Sequence, residues 1–484
     1  MRKLPVQLLS TVLWAVILLT VPTLKADEIE LPEIGDHSGV ALSPEQERSI
    51  GQAFMRRLRN SVTIIEDPEV ATYVQSLGYR LVANSDNPGQ GFTFFVIQDP
   101  TINAFAAPGG YIGIHSGLIE NSQTESELAA VLAHEIAHIT QRHLARAFEQ
   151  RRRLSLPMTA AIVAAIILGT QSPDAGLAGL AAAQAGAAQL QINFTRSNEK
   201  EADRVGMQTL VRAGFDPFAM PAFFERLHQV SRYYGTRPPE FLSTHPVTSN
   251  RIADAMGRAE TLNPHPVKDH LQFHLVRAKL QVLASDNHEQ TVRQFKEALE
   301  NGRYRNEAAT RYGYALALVA TGDSSEARRQ ILQLLKKDGD NLAYRLALAR
   351  VEAAAGRFET AFKVYKEAQA LYPNDYAVVV NYANALLQGH RPQTARDLLR
   401  RQIQSGVGTG QIYHLMAQAE GDAGNRAEAH RWLAEYHYYN GQTDMAIKQL
   451  QLASKAASND FYERSKIEAR LRQLQMEINA EEDS

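Results

Sequence analysis

The chain has no cysteine. That excludes disulfides, and it excludes a lipid attached to a cysteine at a processed N-terminus. No charge sign dominates: 51 Lys and Arg stand against 53 Asp and Glu, a net of −2. Such a balance gives no bulk attraction to nucleic acid, and none is expected as a partner. The apolar stretch from Leu156 to Thr170 contains Pro157 and is about 15 residues, short of the ~20 that span a bilayer. What is present is ordinary for a folded chain, 44% hydrophobic and 21% charged. At 484 residues it is too long for one core, and two or three domains are expected.

Residues 1–26 read as a secretory leader. Arg2 and Lys3 supply the positive start, Leu8 through Val21 the apolar region, and Ala26 the small residue at the cleavage point. An uncleaved membrane anchor is the alternative, because Leu24 is larger than the preferred small residue. Loss of the leader removes Arg2, Lys3 and Lys25 and makes the remainder more acidic. Residues 27–45 are acidic, contain prolines and read as a mobile lead-in.

The chemistry concentrates in His134-Glu135-Ile136-Ala137-His138, an H-E-x-x-H motif. Thr124 with Glu127 three residues later is a capping-box signature, so a helix should start near Thr124. Leu128, Val131, Leu132, Ile136 and Ile139 recur at helical spacing behind it. On that helix His134 and His138 share a face and can bind one Zn²⁺. Glu135 is then placed as general base toward a water at the metal. A third ligand is needed, and Glu199 is the candidate, on a second helical run from Ser197 to Gly206. Asp203 shares its face at i+4 and is expected to hold a ligand histidine by its other ring nitrogen, while Glu201 points elsewhere.

The pair H-E-x-x-H and E-x-x-A-D, about 60 residues apart, resembles the zinc metallopeptidase family of HtpX and the CAAX-prenyl endopeptidase. Asn103-Ala104-Phe105 followed by Pro108-Gly109-Gly110-Tyr111-Ile112 resembles that family's edge strand beside the catalytic helix. Ser243-Thr244-His245-Pro246, with Arg251-Ile252 after it, resembles its T-H-P…R-I segment. The resemblance implies His134, His138 and Glu199 as ligands of one zinc per chain and Glu135 as the catalytic acid/base. Over nearly the full length, with the repeats described below, the chain is similar to members that work in the periplasm. It implies as partners unfolded or stalled outer-membrane β-barrel proteins and the barrel-assembly machinery.

The remaining segments can be placed more coarsely. Helical patterning covers Ser43 to Arg59 and Pro68 to Asn84, and Phe92 to Ile97 is a strand by composition. Asn103 to Ala107 and Tyr111 to His115 read as a hairpin about Pro108-Gly109-Gly110. Its edge could take up an extended peptide through main-chain hydrogen bonds, or it could be an ordinary packed hairpin. Residues 154–190 are apolar, then Gly- and Ala-rich. They read as a helical hairpin that covers the cleft or touches lipid at the membrane periphery, or as a buried helix pair. The Glu199 helix should stop at Gly214-Phe215-Asp216-Pro217, and Arg237-Pro238-Pro239 opens a loop reaching His245. Three roles are open to His245: donor to the developing oxyanion, fourth zinc ligand that leaves the site latent, or a loop histidine before proline. Arg251 is expected to support its loop through a carboxylate or a backbone carbonyl.

From about residue 270 a period appears. Ala315, Ala349, Ala383 and Ala417 recur every 34 residues, as do Ala327, Ala361, Ala395 and Ala429. Gly322, Gly356, Gly389 and Gly424 follow nearly the same interval. This is the tetratricopeptide pattern of paired helices in close approach with a glycine turn between them. Leu271–Ala284 and Thr291–Leu299 read as a degenerate first repeat, and a last helix near Asp460–Asn479 as the cap. Tyr382, Asn381, Asn384, Tyr413 and His414 are candidates for a concave partner-binding face, with core packing or plain exposure the equal alternative for each.

The expected architecture is mainly α, with a small β-sheet in an N-terminal zincin domain and a C-terminal all-α solenoid. The divisions are a leader at 1–26, a metallopeptidase domain at 27–268 and a repeat domain at 269–484. The expected function is a zinc endopeptidase that assembles or degrades stalled outer-membrane barrels. Two rivals remain: a non-proteolytic chaperone or scaffold with a latent metal site, and an integral membrane protease with an uncleaved leader.

Overall fold

The computed structural model describes residues 43–149, 196–234, 240–262, 267–457 and 460–482. The leader, the lead-in as far as residue 42, residues 154–190 and the Arg237-Pro238-Pro239 opening lie outside the described residues. Among those described, no helix is long and apolar enough to cross a membrane.

Among the described residues the protein is mainly helical with one three-stranded sheet. Helix α1 (Pro44–Ser61) begins at a closed capping box between Ser43 and Gln46 and buries Ile50, Phe54, Met55 and Leu58. Helix α2 (Pro68–Val82) is capped by Asp67, whose carboxylate accepts from the N–H groups of Glu69 and Val70. Strands β1 (Thr93–Ile97), β2 (Ala104–Ala107) and β3 (Tyr111–His115) lie in the order β1-β3-β2. The expected hairpin is present, with β2 antiparallel to β3 across Pro108–Gly110 and Ala107 opposite Tyr111. β1 runs parallel to β3, so β2 forms an edge of the sheet.

Helices α3 (Ser116–Asn121), α4 (Glu125–Thr140) and α5 (His143–Glu149) follow. After them come α6 (Arg196–Arg212), α7 (Ala219–Tyr234), α8 (Glu240–Thr244) and α9 (Ser249–Thr261). Helix α4 is the central one. Its expected apolar residues Leu128, Val131, Leu132 and Ile136 are buried, Ile139 is partly buried, and its acidic and histidine side chains are buried too. Its Thr124 cap forms as expected, but Glu127 turns away from the cap backbone. Its carboxylate accepts from the Gln123 N–H and pairs with Arg226.

The remaining helices pair as repeats: α10 (Leu271–Leu283) with α11 (His288–Glu300), and α12 (Glu307–Ala320) with α13 (Ser324–Lys337). Then α14 (Leu342–Ala354) pairs with α15 (Phe358–Leu371), and α16 (Tyr376–Gln388) with α17 (Pro392–Gln404). Next are α18 (Gly410–Asp422) with α19 (Arg426–Tyr439), and α20 (Thr443–Ala456) with the closing α21 (Phe461–Glu482). The alanines spaced by 34 sit at the helix contacts: Ala315, Ala327, Ala349, Ala361, Ala383 and Ala395 are fully buried. Their small size lets paired backbones approach closely. Gly322, Gly356 and Gly424 take positive φ at their turns. In the third turn His390, at φ 57°, holds that place and Gly389 does not. A Cβ on Gly389 would lie 2.6 Å from the Phe362 ring, so this glycine serves a close approach.

The repeat stack turns its inner face onto the N-terminal unit. Glu69 of α2 accepts from Tyr312 (2.8 Å) and pairs with Lys279 (2.8 Å) and Arg350 (2.7 Å). Lys279 also meets Asp67 at 2.7 Å. The core under α4 runs on into Phe273, Val276 and Leu280 of α10. Three of the candidates for a partner-binding face are engaged within the chain. Asn381 bonds to Arg350, Tyr382 is buried on Tyr365, and Tyr413 stacks on Trp432. Asn384 and His414 line a cavity of about 260 Å³ that Glu66 also lines.

Candidate metal centre

Helix α4 brings its two histidines together as its period requires. His134 and His138 lie one turn apart, with their Nε2 atoms 3.0 Å from each other. Helix α6 crosses α4 at this level. Gly206 allows it, since a Cβ there would already lie 3.0 Å from the Ala133 carbonyl. The crossing puts Glu199 against both rings, Oε2 at 3.5 Å from His134 Nε2 and Oε1 at 3.5 Å from His138 Nε2.

His245 enters from the end of α8, where its N–H bonds to the Phe241 carbonyl and Phe241 packs on its ring. Its Nδ1 is 3.1 Å from Glu199 Oε1 and 3.3 Å from His134 Nε2. The ligand atoms of His134, His138, Glu199 and His245 all lie within 4.8 Å of one another, and all four residues are buried.

This donor set fits a divalent cation. Four ligands at about 2.0–2.1 Å in tetrahedral array stand roughly 3.3 Å apart. Five of the six separations run from 3.0 to 3.5 Å. The field favours positive charge as well. Burial alone would push His134 down, yet Asp203 and Glu199 outweigh it and carry the ring up to about 9. Burial pushes His138 well below its ordinary value, with the neighbouring His134 acting in the same direction.

The outer contacts are as specific as the inner ones. Asp203 lies 3.1 Å from His134 Nδ1, the nitrogen that faces away from the cluster. Arg251 grips Asp203 through two bonds of 2.7 Å, donates to the Pro246 carbonyl at 2.9 Å, and reaches Glu199 Oε2 at 2.8 Å. It therefore ties the His245 loop to Glu199 and Asp203 of α6.

Glu135 is buried beneath β2, where the Ala106 N–H donates to it. Its Oε1 has no hydrogen-bond partner among the described residues and lies 3.5 Å from His245 Nε2. Burial raises its carboxyl above the ordinary value, the direction a proton-accepting base needs.

One group was not anticipated from the sequence. His143 lies beyond the end of α4, where helical spacing no longer applies. Arg142 takes φ 53° there and turns the chain back. His143 Nδ1 meets His138 Nδ1 at 2.8 Å, and its Nε2 meets Glu201 at 3.0 Å. Glu201 also accepts from Arg146 at 2.9 Å. So Glu201 points away from the cluster, as expected, but onto a partner of one of its histidines.

Comparison with known proteins follows this geometry. The model of peptidase family M48 matches residues 68–259, and two tetratricopeptide models match residues 312–376 and 352–419. The chain is 37% identical over 475 residues to the β-barrel assembly-enhancing protease of Escherichia coli, covering 98% of this chain and 97% of that one. The chain belongs to the β-barrel assembly-enhancing protease family. A relative in that family from Yersinia pestis is 36% identical over 444 residues, covering 92% of this chain and 91% of its own. The mitochondrial metalloendopeptidase OMA1 of Schizosaccharomyces pombe is 34% identical over 180 residues, 37% of this chain and 50% of that one. The family resemblance drawn from the motif pair holds, and the chain is a metallopeptidase with tetratricopeptide repeats.

Proposed function

We propose that the chain is a zinc endopeptidase of the periplasm that acts on unfolded or stalled outer-membrane β-barrel proteins. In this reading His134, His138 and Glu199 hold the zinc, and residues 27–268 and 269–484 form the peptidase and repeat domains. The observation that carries it is the buried four-residue cluster with Glu135 beside it, in a chain of this family. The names of the full-length relatives support the substrate class, and the leader-like residues 1–26 support the compartment.

A bound zinc supplies a Lewis acid for the peptide carbonyl and acidity for the attacking water. The chain's residues do the rest. An extended substrate pairs along the edge of β2, which favours unfolded segments over folded ones. Glu135 takes the proton of the attacking water on a carboxylate oxygen and later delivers it to the leaving amine nitrogen. Asp203 and Arg251 keep His134 and Glu199 oriented.

His245 stands among the ligands with its ring buried, which supports a latent resting site in which it fills the fourth position. Withdrawal of the loop after α8 would open that position and leave His245 free to act as an oxyanion donor. The same observation favours a second reading, a chaperone that works through its repeats while the metal site stays closed. Cleavage of an unfolded outer-membrane barrel protein by the mature native chain and by His245→Ala, with zinc assayed in both, separates the two. The latent peptidase requires faster cutting by His245→Ala. Silence of both while zinc is bound would move the chaperone reading ahead.

A further inference from the structure

The two histidines of α4 are held from behind in different ways. His134 Nδ1 meets the Asp203 carboxylate directly at 3.1 Å, and Arg251 fixes that carboxylate. His138 Nδ1 meets a second imidazole, His143, at 2.8 Å, and a carboxylate and an arginine come only after it, as Glu201 and Arg146. Both carboxylates belong to α6, two residues apart on either side of Ala202.

We propose that His143 is a positioning residue for His138, and that His143, Glu201 and Arg146 form a relay that fixes the tautomer of His138 and the angle of its ring. This rests on the reading of His138 as a metal ligand. A ligand imidazole that offers Nε2 to a cation must be neutral, with its hydrogen on Nδ1. His138 Nδ1–H then donates, so His143 accepts at Nδ1 and carries its own hydrogen on Nε2. That hydrogen points at Glu201 Oε2, 3.0 Å away. Arg146 keeps the carboxylate ionised and in place. With Glu201 ionised, each donor along this path meets an acceptor, so the relay selects the ligating tautomer. His143 is fully buried, which keeps water from substituting for it at His138. The left-handed Arg142, held by Glu47, fixes the return of the chain that brings His143 there.

The test measures zinc release from the full-length mature protein into excess chromophoric chelator, for the native chain, His143→Ala, His143→Asn and Glu201→Ala. Thermal unfolding of each zinc-stripped protein is measured alongside. An acceptor at Nδ1 is lost in His143→Ala and kept approximately in His143→Asn. The relay requires zinc release about 10–100-fold faster in His143→Ala. His143→Asn should recover most of that, and Glu201→Ala should move in the same direction by less. Zinc-stripped stability should be alike for the Ala and Asn variants. Release from His143→Ala at the native rate, or equal losses in Ala and Asn, would overturn the relay. If His143→Ala does not fold, Glu201→Ala decides, and native release from it overturns the relay. Cleavage is assayed separately. Native and His245→Ala chains that both hold zinc and cut nothing sink the peptidase reading, while a His143→Ala chain that holds zinc normally sinks only the relay.

Discussion

Asp203 shows how much of the candidate site lies behind the clustered side chains. It touches His134 and Arg251 and contributes no ligand atom to the cluster. Removing its charge while keeping its shape, in Asp203→Asn, should weaken zinc binding by about 10–100-fold. A competition titration with a chelator checks this, and native affinity in the variant would refute the assignment. The sequence carried this residue because an i, i+4 relation on a helix survives folding. The same relation placed His134 and His138 on one face, whereas Glu199 reaches them only through the crossing of α6 over α4. The sequence could not carry His143. That residue reaches His138 only because one left-handed residue bends the chain, and helical period says nothing across such a bend.

Among the elements, the repeats were the most legible, because their 34-residue period is written in small residues that close packing demands. The exception is the third turn. The glycine nearest the repeat position, Gly389, has negative φ, and the left-handed residue is His390. Spacing alone could not tell a glycine needed for φ from one needed for clearance against Phe362. Two substitutions separate them. His390→Gly should raise stability by about 0.5–1 kcal/mol by relieving the left-handed conformation. Gly389→Ala should cost about 1–3 kcal/mol by overpacking against Phe358 and Phe362. Urea unfolding midpoints measure both, and a reversed order would refute the assignment. Helix α4 was legible in its cap and its apolar residues, but not in the burial of its polar ones. That burial depends on Glu199 and His245 meeting its histidines, and on Tyr73, His270 and Arg226 meeting Glu125 and Glu127.

The placement of the repeats was not legible at all, since it depends on pairs such as Glu69 with Arg350, 281 positions apart. Glu69 is buried against Lys279, Arg350 and Tyr312. Burial alone would raise its carboxyl, yet Lys279 and then Arg350 outweigh burial and hold it well below the ordinary value of 4.5. Because the folded value is depressed, its stabilisation is complete at pH above about 4.5 and is lost as the pH falls below that. Glu69→Ala leaves the partly buried Arg350 without its carboxylate and Lys279 with Asp67 alone, and should cost about 3 kcal/mol at pH 7. Unfolding of the variant should depend less on pH than that of the native chain between 4.5 and 3. Parallel pH dependence in both would remove Glu69 from the junction's energetics. The account as a whole stands on hydrolysis at the α4 cluster, and Glu135→Gln in a His245→Ala background tests that most directly. Cleavage of an unfolded outer-membrane barrel protein is followed together with zinc content. The account predicts native zinc content with cleavage slowed at least about 100-fold relative to His245→Ala alone. Undiminished cleavage with zinc retained would contradict it.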